Sequence, residues 1–140
     1  MAEIEVQLLY FAGCPNYDAA RRALEEVIHE GSIEIPVQMV LVSSDEDAGF
    51  LRFVGSPTIR IDGQDIVPPP HDAPFAMACR IYRDEEGRVV GFPSREVMRA
   101  ALRARRAREL ERFQRDEAQR TAAAILDAEA GGDAADPPTD

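Results

Sequence analysis

The side chains best suited to covalent chemistry are the chain's two cysteines, Cys14 and Cys79. Cys14 lies in Gly13-Cys14-Pro15-Asn16-Tyr17, between a dense apolar run and a stretch whose apolar residues recur at helical spacing. A thiolate is the nucleophile in disulfide exchange. The free N–H groups and the dipole of a helix's first turn favour negative charge. A cysteine so placed has its pKa lowered to about 3.5–7.5. Cys14 is therefore the expected nucleophile, attacking a disulfide or capturing a thiol. The competing reading is a small buried cysteine closing a strand. Tyr17, one turn further on, is a candidate hydrogen-bond donor to the thiolate, or else an aromatic packed at the helix start. Cys79 has two readings as well. It is a core residue of the strand-like Cys79-Arg80-Ile81-Tyr82, or it is a second thiol that resolves a mixed disulfide on Cys14. A bond between them requires Cα atoms within about 7 Å. His29 and His71 show no metal-ligand spacing with the cysteines, so no structural zinc site is expected.

The elements that must position these residues follow from periodicity. Ile4–Ala12 (IEVQLLYFA) is short, apolar and rich in β-formers, and reads as a buried central strand. Pro15 suits the first turn of a helix, where a missing N–H costs nothing. Ala19, Ala20, Ala23, Leu24, Val27 and Ile28 continue that helix to Gly31. Ile33–Val42 reads as a second strand, at a sheet edge because Pro36 cannot donate to a ladder. Ser44 to Asp47 resembles a capping arrangement for a short helix to about Phe53. Thr58–Asp62 alternates as a strand and Asp62-Gly63 turns. Residues 64–77 hold four prolines and read as a loop. Ala78–Arg83 reads as a strand, with a short Val89-Val90-Gly91 after a polar turn. Pro93-Ser94 opens a helix carrying Val97, Met98, Ala101 and Leu102 on one face.

The domain is expected to span residues 1–103. A helical extension over 104–130 follows, supported by the acid-before-base pairs Glu111/Arg115 and Asp116/Arg120. It is either a solvated extension or a homodimer contact through a thin apolar stripe. From Gly131 the Gly/Pro/Asp-rich tail is expected to be disordered.

The bulk numbers bound the function. The chain has 140 residues, 45% hydrophobic and 30% charged, which suits one soluble globular domain. A net charge of −10 argues against nucleic acid and anionic membranes as partners. All its basic residues are arginine, which excludes a lysine Schiff base or a phosphate-loop lysine. The acidic start and the lack of a long apolar run point to a cytoplasmic protein. In that compartment a Cys14–Cys79 bond would be transient and redox-active.

The order β-α-β-α-β-β-α, with a cysteine after the first strand and Ser56-Pro57 before the third, resembles the thioredoxin/glutaredoxin fold. The resemblance covers roughly residues 4–103. It implies a four-stranded mixed sheet and a cis-proline at Pro57 facing Cys14. Ser56, Pro57 and Pro15 would then shape a groove for a protein or small-molecule thiol or disulfide, with no cofactor and no resident metal. Tyr17 stands where the family's Cys-x-x-Cys motif has its second cysteine, so the pattern is closer to single-cysteine relatives. Small proteins reading Tyr-Phe-x-Gly-Cys-Pro-Asn, with Gly-Ser-Pro-Thr-Ile later, are similar to this chain, and some are labelled as related to alkylmercury lyase. Three functions remain open at this point: a thiol redox protein, a non-catalytic binding or assembly module, and a soft-metal thiolate protein using Cys14 and Cys79.

Overall fold

The computed structural model describes residues 4–134. The described residues divide into two compact units, the first ending at Arg103 and the second beginning at Ala104. In the first unit, β1 (Val6–Tyr10), β2 (Val37–Leu41), β3 (Thr58–Ile61) and β4 (Gln64–Asp65) form one sheet in the order β2-β1-β3-β4. β1 runs parallel to β2 and antiparallel to β3, and β3 runs antiparallel to β4. The sheet is thus mixed and four-stranded. β2 occupies an edge, and Pro36 falls just before it, outside the ladder.

Alternation along β1 sends its side chains to two faces. Val6 and Leu8 join Leu24, Val27, Ile59 and Met98 in one core, built with α1 (Tyr17–Glu30) and the start of α3 (Arg95–Ala134). Leu9 joins Val42, Ala48 and Phe53 in a second core beneath α2 (Asp45–Leu51). Burying each large apolar side chain here contributes about 1.5–3 kcal/mol. Ser44 caps α2, its hydroxyl accepting from the Asp47 N–H at 3.1 Å. Arg60 donates to the carbonyls of Leu51 and Arg52 at the other end of that helix. Ser94 caps α3 through the Val97 N–H. Arg95 and Arg99 pair with Glu26 and Glu30 of α1.

The structure differs from the sequence reading in four places. Pro15 is not in the first turn of α1. Asn16 is the cap and Tyr17 the first helical residue, so Pro15 precedes the cap. Gln64–Asp65, expected in the loop, is the fourth strand of the sheet, because the Asp62-Gly63 turn folds it straight back onto β3. Residues 78–83 are not that strand. Only Cys79 makes an isolated bridge, while Tyr82–Arg83 (β5) pairs with Val89–Val90 (β6) in a separate two-stranded ribbon. Of the tail expected from Gly131, residues 131–134 continue α3 and the rest lie outside the described residues.

Candidate functional site around Cys14, Ser56 and Cys79

Cys14 ends the turn that follows β1. Its N–H donates to the Phe11 carbonyl at 3.1 Å, and its side chain is buried, 4% exposed. It stands two residues ahead of the Asn16 cap, and the Asn16 side chain does not bond the helix N-terminus. That side chain lies against Gly91, where any Cβ would collide with it. This close approach brings the loop after β6 up to the start of α1.

Tyr17 packs face to face on Tyr10, with ring centroids 4.3 Å apart. Both rings lie partly buried on the first core. Among the described residues no hydrogen bond joins Tyr17 to Cys14, so the structure gives this tyrosine a packing role.

Ser56 is fully buried and links the regions of the two cysteines. The Phe11 N–H donates to its hydroxyl at 3.4 Å. Its own N–H donates to the Ala78 carbonyl at 2.8 Å, and its carbonyl accepts the Arg80 N–H at 3.0 Å. These two bonds make a parallel bridge that sets Cys79 opposite Ser56. Paired residues of neighbouring strands project to the same face. The Cys79 side chain therefore lies on the face from which the Ser56 hydroxyl reaches Phe11. Cys79 is exposed and Cys14 buried, and both are free thiols. The Ser56–Pro57 peptide is cis.

The segment carrying Cys79 is held down along its length. The Ala76 N–H donates to the Phe53 carbonyl at 3.0 Å, and Met77 packs on the second core. Exposure then alternates, Cys79 and Ile81 outward, Arg80 and Tyr82 inward. Arg80 donates to Thr58 Oγ1 at 3.1 Å, to Asp65 at 2.7 Å and to the Val67 carbonyl. Its guanidinium also lies over the Tyr82 ring, 4.8 Å from the centroid. The Tyr82 hydroxyl donates to the Pro57 carbonyl at 2.5 Å. Burial pushes that phenol far above its ordinary pKa. Thr58 Oγ1 in turn donates to the Gly55 carbonyl at 2.6 Å. Gly55 is what allows the segment so close. Its φ of +141° disfavours any side chain, and a Cβ there would fall 2.9 Å from Arg80 Cβ. Residues 76–82 thus form a strap across the Gly55-Ser56-Pro57 loop.

Sequence reasoning singled out Cys14, Ser56, Pro57 and Cys79, and the strap brings Cys79 beside Ser56. Pro15 and Tyr17 belong to the helix start and its packing. Sequence reasoning missed Arg80, Asp65 and Tyr82. The one signal for Arg80 and Tyr82 was alternation within Cys79-Arg80-Ile81-Tyr82, which sets Arg80 on the same side as a buried tyrosine, and Asp65 had none. An open depression of about 500 Å³ near Asp84, Phe92 and Arg99 includes neither cysteine. Among the described residues no three His, Cys, Asp or Glu side chains are grouped to hold a metal ion, and no helix is long and apolar enough to cross a membrane. Compared with protein-family models, with curated proteins and with solved structures, the chain matches none.

Proposed function

We propose that this chain is a thioredoxin-like thiol redox protein in which Cys14 forms a mixed disulfide and Cys79 resolves it. The observation that carries the proposal is the double engagement of Ser56. On one side it bonds Phe11 in the turn that ends at Cys14, and on the other the two residues flanking Cys79. The strand order β2-β1-β3-β4 and the cysteine after β1 support the same reading.

The chemistry balances without a cofactor. The Cys14 thiolate attacks a substrate disulfide, forming a Cys14 mixed disulfide and expelling one substrate thiolate, which takes up a proton. The Cys79 thiolate then attacks the Cys14 sulfur and expels the second substrate thiolate. The substrate disulfide is reduced by two electrons, and the protein dithiol becomes a Cys14–Cys79 disulfide that an external thiol must reduce. The substrate is the disulfide of a protein or a small-molecule thiol. The Ser56 N–H and C=O are held by the strap itself, so an extended substrate must displace residues 78–80 to reach them.

That occupancy favours a second reading, a binding module without turnover. Reduction of a small aromatic disulfide by the protein, with an external thiol as reductant, separates the two. The redox reading predicts that Cys14→Ser abolishes turnover. It also predicts that Cys79→Ser accumulates a stable mixed disulfide on Cys14. Equal, background-level reduction by wild type and both variants would leave the binding module.

A further inference from the structure

We propose that the outer edge of residues 79–83 receives an extended segment of a dithiol protein as an antiparallel strand, with a cysteine of that segment opposite Cys79. The inner edge is already used. The Ala78 carbonyl and the Arg80 N–H bond Ser56, Tyr82 pairs with Val90, and the Asp84 N–H bonds the Arg88 carbonyl. Successive backbone polar groups of an extended chain point to opposite edges. Those of Cys79, Ile81 and Arg83 therefore point outward, and no described residue bonds them. Such a row of open N–H and C=O groups is a template for one more strand. The edge carries no proline to block it.

The side chains along this edge define the occupant. Cys79, Ile81 and Arg83 share one face by alternation, and all three are exposed, Ile81 by 70%. The Arg83 guanidinium bonds the Gly87 carbonyl and pairs with no carboxylate among the described residues. Directly opposite residues of two paired strands lie on the same face. The partner strand therefore sets a carboxylate against Arg83, an apolar β-former against Ile81 and a cysteine against Cys79. In antiparallel order it reads acid-x-apolar-x-Cys. Hydrogen-bonded antiparallel pairs stand about 5.5 Å apart at Cα, inside the roughly 4.4–6.8 Å that a disulfide spans.

The partner's role rests on the redox reading above. Cys14 is buried and Cys79 exposed, so the sulfur of a Cys14–Cys79 disulfide open to a second protein is that of Cys79. A partner thiolate attacks it, and Cys14 leaves as a thiolate that takes up a proton. The partner's second thiolate then attacks the partner sulfur bonded to Cys79 and expels the Cys79 thiolate. The partner is oxidised by two electrons to its own disulfide, and this chain returns to the dithiol.

The test uses the full chain carrying Cys14→Ser, which leaves Cys79 as its thiol, so its failure is distinct from a failure of the redox reading. The probe is a peptide reading Asp-Thr-Val-Thr-Cys, activated at its cysteine as a mixed disulfide with thionitrobenzoate. Attack by the Cys79 thiolate joins the peptide to Cys79 and expels the coloured thiolate, whose absorbance gives the rate. Glutathione activated in the same way is the comparison, because it is too short to pair along the edge. The peptide is expected to react faster by about tenfold or more, and to saturate with concentration. Ile81→Pro removes an outward N–H and leaves the inner bonds in place. It is expected to bring the peptide close to the glutathione rate while glutathione itself reacts as before. Arg83→Glu is expected to slow this peptide and to favour one with arginine in place of its Asp. Circular dichroism checks the fold of each variant, and if Ile81→Pro loses it the charge swap at Arg83 decides alone. Equal rates for peptide and glutathione, or a peptide preference that folded variants at Ile81 and Arg83 leave unchanged, would overturn the proposal.

Discussion

Replacing Gly55 with alanine perturbs the strap where it lies closest to the Ser56 loop. Two effects follow from the geometry. The backbone there has φ +141°, and holding a residue with a Cβ in a sparsely populated region costs about 1–3 kcal/mol. The new methyl would also sit 2.9 Å from Arg80 Cβ and 3.1 Å from the Ala78 carbonyl oxygen. The strap must back away, weakening the Ser56–Ala78 and Arg80–Ser56 backbone bonds, each worth about 0.5–1.5 kcal/mol. Together these predict a loss of about 2–6 kcal/mol. For a domain of this size that is roughly 8 °C or more in melting temperature. Urea denaturation followed by circular dichroism measures the loss. Hydrogen exchange at the Ser56 and Arg80 amides, expected to speed up, reports whether the strap has lifted. A loss below about 0.5 kcal/mol, the range of an ordinary surface substitution, with unchanged exchange at those two amides would refute the close packing of strap on loop.

Other perturbations separate the parts of the strap. Arg80→Met strands Asp65, whose side chain is only 14% exposed. It is expected to destabilise by about 3–5 kcal/mol, with Arg80→Met/Asp65→Asn recovering part of that in urea denaturation. Tyr82→Phe leaves the Pro57 carbonyl without its donor and is expected to cost about 1–3 kcal/mol. Because burial raises the Tyr82 pKa in the fold, the neutral phenol's contribution is complete below about pH 10. It is lost as pH rises from there toward the folded-state value, so the phenylalanine variant should show a flatter alkaline limb. The Arg88 backbone N–H and side chain hold the Asp84 carboxyl below its ordinary pKa. Its contribution to the β5–β6 turn is therefore complete above about pH 4 and lost as pH falls through the folded-state value. The acid-induced shift of the Arg88 amide resonance should disappear in Asp84→Asn.

The parts of the fold legible in the sequence are those written in local pattern. The apolar run at β1, the 3.6-residue spacing of α1, the Ser44 cap and Pro36 beside an edge strand all depend on neighbours a few residues away. What sequence could not display depends on distant partners. Gln64–Asp65 has no apolar alternation, and is a strand only because the Asp62-Gly63 turn delivers it to β3. The stretch 78–83 has strand-like composition, yet the loop near Gly55 claims its first half and β6 its second. Arg80 looked like any surface arginine until Thr58, Asp65 and Val67 were brought around it. The site was half legible for the same reason. Cys14 and Ser56-Pro57 stand out from their own neighbours, whereas the role of Cys79 rests on which segment its backbone pairs with.

The most direct test of the redox account is controlled oxidation of the fully reduced chain by oxidised glutathione, followed by peptide mapping under thiol-blocking conditions. The account predicts an intramolecular disulfide joining Cys14 to Cys79, formed at a rate independent of protein concentration and absent from both serine variants. Glutathione retained on Cys14 with Cys79 still a free thiol, or disulfides formed only between chains through the exposed Cys79, would contradict it.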